Sequence, residues 1–410
     1  MSDSPALPVA STPHAATSID ARGATATAGG KDTVIDAMRG FAALLVAYFH
    51  GRQVAWVGMQ RFHHVVGMSF DPSVIVGYLT LPIVWGSIGV PIFFVISGYC
   101  IHRNGALRLA HDANFRLDAR LFWARRFARI YPVLFGALLL TLVLDSVSLH
   151  LPPVSHKIRE IGWHAFLVNL FSLQGVAGYT YGSNGALWTL SLEVQFYAVY
   201  PLLFAVRKRF GMHAVLAGIT VINVVSAFVL ERHDIQFFTS YWLSWTIGAY
   251  IAELRADPAS FELDARRMRT WRIAAALLIA LGCAAFARSQ YGQYAAFQLW
   301  ALGFTCYLRT ALPYEQKERE AHAHHHTATR LLARCGAFSY SLYLIHLPLF
   351  VCLQSLFFRT TLQVSIWPSL AFMSGAVVAA YLFYRCVELP AMRWSASMKA
   401  RRPAVTRAAA

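Results

Sequence analysis

The stretch Ile35-Asp36-Ala37-Met38-Arg39-Gly40-Phe41-Ala42-Ala43-Leu44-Leu45-Val46-Ala47-Tyr48-Phe49-His50 is apolar along most of its length, yet it carries an arginine near one end and a histidine at the other. Eleven residues at 100° each bring Arg39 and His50 to one face of a helix, about 16 Å apart along its axis. Extended to 34–56, the run is long enough to cross a hydrocarbon core of about 30 Å. A charged group at the centre of such a span costs roughly 3 kcal/mol, so each needs a partner or a task.

Similar apolar runs recur at 78–101, 130–150, 186–206, 212–230, 237–254, 271–287, 293–308, 335–358 and 366–386. Of the 410 residues, 57% are hydrophobic and 14% charged, against about 25% charged in an average soluble domain. Mean hydropathy is +0.46. The expected fold is therefore all-α, a polytopic transmembrane bundle of about ten spanning helices at 34–390. It follows a polar, disordered cytoplasmic leader at 1–33 and precedes a basic cytoplasmic tail at 391–410.

A net charge of +16 in a soluble protein would point to nucleic acid,. Here the basic residues sit between spans. All but seven of the 36 Lys and Arg fall on the side of the N-terminus, the exceptions being Arg52, Arg61, Lys157, Arg159, Arg232, Arg288 and Arg359. The positive-inside rule then places both termini in the cytoplasm of a multi-pass protein and removes the case for nucleic acid. Two connections are long: 102–129, rich in arginine and expected inside, and 151–185, expected outside with a short interfacial or re-entrant apolar stretch at 161–173. The six cysteines, Cys100, Cys283, Cys306, Cys335, Cys352 and Cys386, lie in or at the ends of apolar runs without metal or redox spacing, and read as buried thiols,. The histidines of HAHHH (322–326), like His63 and His64, read as loop residues, and no metal site is expected.

The remaining polar groups inside the spans are the candidates for chemistry. Glu193, in LWTLSLEVQFY (187–197), and His50 are each six or seven residues from the expected outer ends of their spans, so the carboxylate is expected to pair with the imidazole. Ser339, Tyr343 and His346 in FSYSLYLIHLP (338–348) recur at helical spacing as a polar stripe facing the bundle. Arg126 and Arg129 in RRFARIYP (125–132) share a helix face near the level of Arg39, suited to phosphate. Arg385 and Glu388 in YRCVELP (384–390) lie at the same end. In GVPIFFVISGY (89–99), Gly89, Ser97 and Gly98 offer small surfaces for close helix contact, and Ser97 lies nearer Arg39 than His50 in depth.

Taken together, these segments resemble acyltransferase family 3, the integral-membrane acyltransferases of bacterial envelope sugars and some secreted small molecules. The first span resembles the family's Arg, ten residues, His pattern. GVPIFFVISG, RRFARIYP, LWTLSLE, FSYSLYLIHLP and VELP resemble its further motifs, in order over 34–390. The resemblance implies that His50 is the catalytic histidine, Arg39 its motif partner, Arg126 and Arg129 the Arg-x-x-Arg pair and Glu193 the motif acid; by their charge and depth Arg126 and Arg129, with Arg39, are expected to hold the phosphates of the donor. His346, Ser97 and Tyr343 are further candidates. Pro91 stands where many relatives carry an acid. The chain ends about twenty residues after VELP, so the esterase-like domain fused to some relatives is expected to be lacking. The implied reaction moves an acyl group, most commonly acetyl, from acetyl-CoA or another acyl-CoA to a hydroxyl of a carbohydrate or glycolipid acceptor, at a bacterial inner membrane. The alternative is a proton-coupled transporter or flippase using the same buried groups.

Overall fold

A chain in hydrocarbon must satisfy its backbone polar groups internally, and a helix does so within one segment. The computed structural model describes residues 32–230, 233, 235–288, 290–320 and 326–398. In chain order its helices are α1 (Thr33–Ala55), α2 (Met59–Val66), α3 (Pro72–Leu79), α4 (Gly89–His111), α5 (Ala119–Leu149), α6 (Trp163–Leu170), α7 (Trp188–Phe210), α8 (Met212–Leu230), α9 (Trp242–Ala256), α10 (Ala265–Phe286), α11 (Gln290–Glu320), α12 (Thr327–Ala337), α13 (Ser339–Phe358), α14 (Trp367–Phe383) and α15 (Leu389–Ser397). Every expected span falls in helical structure, although 78–101 crosses a kinked 3-10 segment at Leu81–Ile88 before α4 and 335–358 crosses the break between α12 and α13. Eight helical stretches among the described residues are long and apolar enough to cross a membrane. The two expected spans that fall short do so for different reasons. Helix α9 has 15 residues, about 22 Å of rise, whereas α11 has 31 but mixes glutamines and a charged last third with its apolar residues.

The molecule is a polytopic helical membrane bundle. Val221, Val225, Phe228 and Val229 on α8 and Leu277 and Leu281 on α10 are exposed, a surface suited to lipid and costly in water. Helix α13 packs against α1, α5 and α14 at the centre. Backbones approach closely where glycine allows it. A Cβ on Gly98 of α4 would lie 1.9 Å from the carbonyl oxygen of Trp245 on α9, and one on Gly248 of α9 would lie 1.9 Å from that of Val95. The small-residue surface expected at Gly98 is thus the α4–α9 contact, and Gly89 likewise faces α1, its added Cβ 2.5 Å from Val46 Cγ2.

Several boundaries differ from expectation. The 102–129 connection is mostly helix: α4 runs on to His111 and α5 begins at Ala119. His102 is fully buried; its ring bonds to Glu253 Oε1 at 2.5 Å and to the Tyr200 hydroxyl at 3.2 Å, and Glu253 also pairs with Arg207. That network satisfies polar groups a helix could not otherwise keep inside, and it extends α4 beyond its apolar run. The expected tail begins inside α15, which packs on α5 through Ser395 Oγ donating to the Arg125 carbonyl at 2.7 Å. The rest of the tail beyond 398, most of the leader, and His322, His324 and His325 lie outside the described residues. Of the six cysteines expected to be buried, Cys306 and Cys352 are, whereas Cys283 and Cys335 are half-buried and Cys100 and Cys386 exposed, because an apolar thiol on a membrane helix can face lipid or a cavity.

Candidate active site

The polar stripe of α13 faces inward as its spacing predicts: Ser339, Tyr343 and His346 are all buried. His346 Nδ1 lies 2.9 Å from the Leu342 carbonyl oxygen, and its Nε2 lies 2.8 Å from Nδ1 of His50 on α1. The two rings are nearly parallel, 8° apart with centroids at 5.1 Å. A carbonyl only accepts, so His346 Nδ1 must carry the proton and donate, which leaves His346 Nε2 as the acceptor. His50 Nδ1 therefore donates to it. The tautomer of His50 follows from the network: its Nε2 is unprotonated and free to accept a proton.

This arrangement corrects the expected pairing of His50 with Glu193. Glu193 Oε1 accepts from Ser97 Oγ at 3.0 Å and from the Tyr197 hydroxyl, and the carboxylate lines a cavity with Arg39. Depth explains the difference. The chain before α7 is folded into the bundle, where Asn184 Nδ2 donates to the Leu344 carbonyl at 2.8 Å, beside His346. Glu193, nine residues further, is roughly 13 Å deeper. Asn184 is held by a wall built from the next turn back. The Asp145 carboxylate on α5 accepts from the Ser183 amide at 2.7 Å and the Ser183 hydroxyl at 2.5 Å. Gly182 has φ +54, and an added Cβ would lie 2.0 Å from Asp145 Oδ2, so the turn needs glycine.

Two cavities occupy opposite ends of α1. At the histidine end an open cavity of about 960 Å³ is lined by His50, Gln53, Lys157, Tyr179, Trp188 and Gln236 among others. Lys157 lies in the 151–162 connection, half-buried, and burial lowers its ammonium below the ordinary lysine value; it lines the same cavity as His50. At the arginine end a cavity of about 210 Å³ is lined by Arg39, Arg126, Arg129, Glu193, Tyr197 and Tyr340. Three guanidinium groups against one lining carboxylate make it a place for an anion. Arg39 also pairs with Asp36 at 3.8 Å, whereas buried Arg126 Nε and the Tyr340 hydroxyl have no hydrogen-bond partner within the described chain. The expected clustering of Arg126 and Arg129 with Arg39 is thus what the helices bring together. Arg385 is exposed and does not join them. Glu388 is turned inward by one π-helical turn, Tyr384–Glu388, and accepts from the Ser341 hydroxyl at 2.6 Å.

A narrow void of about 80 Å³ leads from the arginine cavity toward the histidines. It shares Arg39, Ser97, Glu193 and Tyr340 with that cavity and continues past Phe93 to Tyr343, whose hydroxyl accepts from Thr189 Oγ1 at 2.8 Å. Thr189 adjoins Trp188, a lining residue of the histidine cavity. Ser97 is more than a packing residue: it also accepts from Trp245 Nε1 at 3.2 Å and lies within 3.0 Å of the Tyr197 hydroxyl. Tyr340, Lys157 and Asp145 were not singled out by sequence. Asp145, an acid within an apolar run, carried a readable signal, whereas the others acquire their place only from the packing.

Among the described residues the bundle thus brings together a histidine pair at one end of α1, a cavity with three arginines at the other and a narrow void between them. The chain belongs to the acyltransferase family 3, whose acyltransferase-domain model matches residues 32–385. It is similar to "Putative peptidoglycan O-acetyltransferase YrhL" of Bacillus subtilis (strain 168), 32% identical over 152 residues that make up 35% of this chain and 23% of that protein. It is also similar to "Peptidoglycan O-acetyltransferase OatA" of Listeria monocytogenes, 33% identical over 129 residues, 30% of this chain and 20% of that protein. The matched stretches thus span about a quarter or less of those relatives' length. No solved structure matches the chain.

Proposed function

We propose that the protein is a membrane O-acyltransferase that moves an acyl group, acetyl in the simplest case, from acyl-CoA to a hydroxyl of a carbohydrate acceptor. The observation that carries this reading is the His50–His346–Leu342 relay, which leaves an imidazole nitrogen free to accept a proton on the residue that lines the larger cavity. Acyl-CoA is the donor and enters at the arginine end, taken as the cytoplasmic side of a bacterial inner membrane. Its phosphates meet Arg126, Arg129 and Arg39, and its pantetheine arm follows the narrow void. The separation of Arg39 and His50, about 16 Å along α1, is within reach of an extended arm. The acceptor enters at the histidine end, the external side.

In the reaction His50 Nε2 removes the acceptor hydroxyl proton as the oxygen attacks the thioester carbonyl. The tetrahedral intermediate collapses to ester, and the CoA thiolate takes the proton back from His50. Glu193, hydrogen-bonded by Ser97 and Tyr197, acts along the donor route beside Arg39 instead of at the imidazole. The test is purified protein in vesicles of bacterial phospholipid, supplied with acetyl-labelled CoA and an oligosaccharide acceptor. Label is expected in an alkali-labile ester on the saccharide. Uptake of saccharide with no ester formed would favour a transporter and overturn the assignment.

A further inference from the structure

The histidine cavity is chemically asymmetric. Lys157, Arg159 and His156 line it, whereas none of its described lining residues is an aspartate or glutamate. Cations are expected to be scarce on this side of the bundle, yet Lys157 and Arg159 both stand on this one wall. Membrane topology does not call for them, since retention of positive charge concerns the opposite side. Lys157 is held half-buried by neighbouring structure. Arg159 N donates to the Gly182 carbonyl at 3.2 Å, Gly182 N donates to the Glu160 carbonyl at 3.0 Å, and Ser183 is fixed by Asp145. Among the described residues the Lys157 ammonium has no ion-pair or hydrogen-bond partner, although desolvating it costs free energy. The Arg159 guanidinium lies over the Tyr179 ring, 5.1 Å from its centroid, which presents a flat, positively charged edge. Trp188 and Tyr179 supply aromatic faces, and Gln53 and Gln236 supply amides able to pair with hydroxyls,.

Resting on the acyltransferase reading, we propose that this cavity is the acceptor site and that it selects a saccharide carrying an anionic group, carboxylate or phosphate, which Lys157 and Arg159 bind while the sugar ring lies against Trp188 beside His50. The anion anchors the acceptor and so presents one hydroxyl to His50 Nε2. Charge-assisted contacts of this kind are about twice as strong as neutral ones, and in an open cavity they weaken with salt.

Equilibrium dialysis tests this without a donor, using purified full-length protein and three labelled probes: a uronic-acid tetrasaccharide, its carboxyl-reduced neutral counterpart, and the neutral chain bearing one terminal phosphate. Wild type is expected to bind at least one anionic probe about tenfold more tightly than the neutral one at low salt. Lys157→Gln with Arg159→Gln is expected to erase that preference and leave neutral binding unchanged, and Lys157→Arg with native Arg159 to retain it. The two anionic probes identify which group is read. Equal binding of all three probes by wild type, no binding of any, or an undiminished preference in the double Gln variant would each overturn the proposal. Because no acyl-CoA is present, an anion preference in a protein that forms no ester would leave the cavity's selection of an anionic saccharide standing and contradict only the acyltransferase reading.

Discussion

At the scale of single residues, the work assigned to His346 is to hold a neighbour. Buried, and committed through Nδ1 to the Leu342 carbonyl, it offers one lone pair, and His50 Nδ1–H takes it. Loss of that acceptor frees the His50 ring to adopt the other tautomer, with the proton on the nitrogen that must be bare. His346→Ala is expected to lower kcat about 100-fold with little change in acceptor KM, by analogy with general-base contributions of that size. His346→Gln, whose amide oxygen can accept from His50 Nδ1, should recover much of the loss. A merely structural role for His346 would give equal defects in both variants, tracked by loss of monodisperse protein. The arginines make a different prediction. Arg126→Lys replaces a fork with a point charge and is expected to raise the KM for acyl-CoA several-fold while kcat at saturating donor holds. An unchanged donor KM would remove Arg126 from the donor site.

At the scale of elements, the close α4–α9 contact sets the position of Ser97 and, through it, of Glu193. Gly98→Val forces at least one carbon into the space 1.9 Å from the Trp245 carbonyl oxygen, and the helices must separate. A loss of about 2 kcal/mol or more is expected from such overpacking, read as a lower thermal midpoint in detergent; an unshifted midpoint would show that the contact is looser than described. The same elements show what could be read from the chain alone. Arg39 and His50 belong to one regular helix, so periodicity placed them correctly, and the i, i+3 spacing of Arg126 and Arg129 did the same on α5. The partner of His50 was out of reach because depth was counted from the ends of apolar runs. The chain before α7 does not end at the surface but turns down beside His346, tied by Asn184 and Asp145, and every residue of α7 is shifted inward with it. His102 was misplaced for a related reason, since its partner Glu253 lies 151 positions away and only packing brings them together.

For the whole molecule, the proposed reaction divides donor and acceptor between the two ends of one bundle. The 151–185 connection and the 112–118 turn are expected on opposite sides of the membrane, the first outside. Cysteines introduced at Pro153 and Asn114 in a background lacking the native six should react with an impermeant maleimide from outside and from inside, respectively. Labelling of both from one side would overturn the topology. The division also predicts that acyl-CoA supplied only on the side of Asn114 supports transfer, and that donor supplied only on the other side does not.

The central claim is that His50 is the general base, and the most direct measurement is ester formation from labelled acetyl-CoA by His50→Ala protein beside wild type, with donor binding and monodispersity measured on the same samples. His50 contributes little packing relative to the many apolar contacts of α1, so the variant is expected to remain folded and to bind donor as wild type does. Transfer should fall to the background of vesicles without protein. Near-native transfer by a folded, donor-binding His50→Ala protein would contradict the account and show that the histidine pair is part of the architecture.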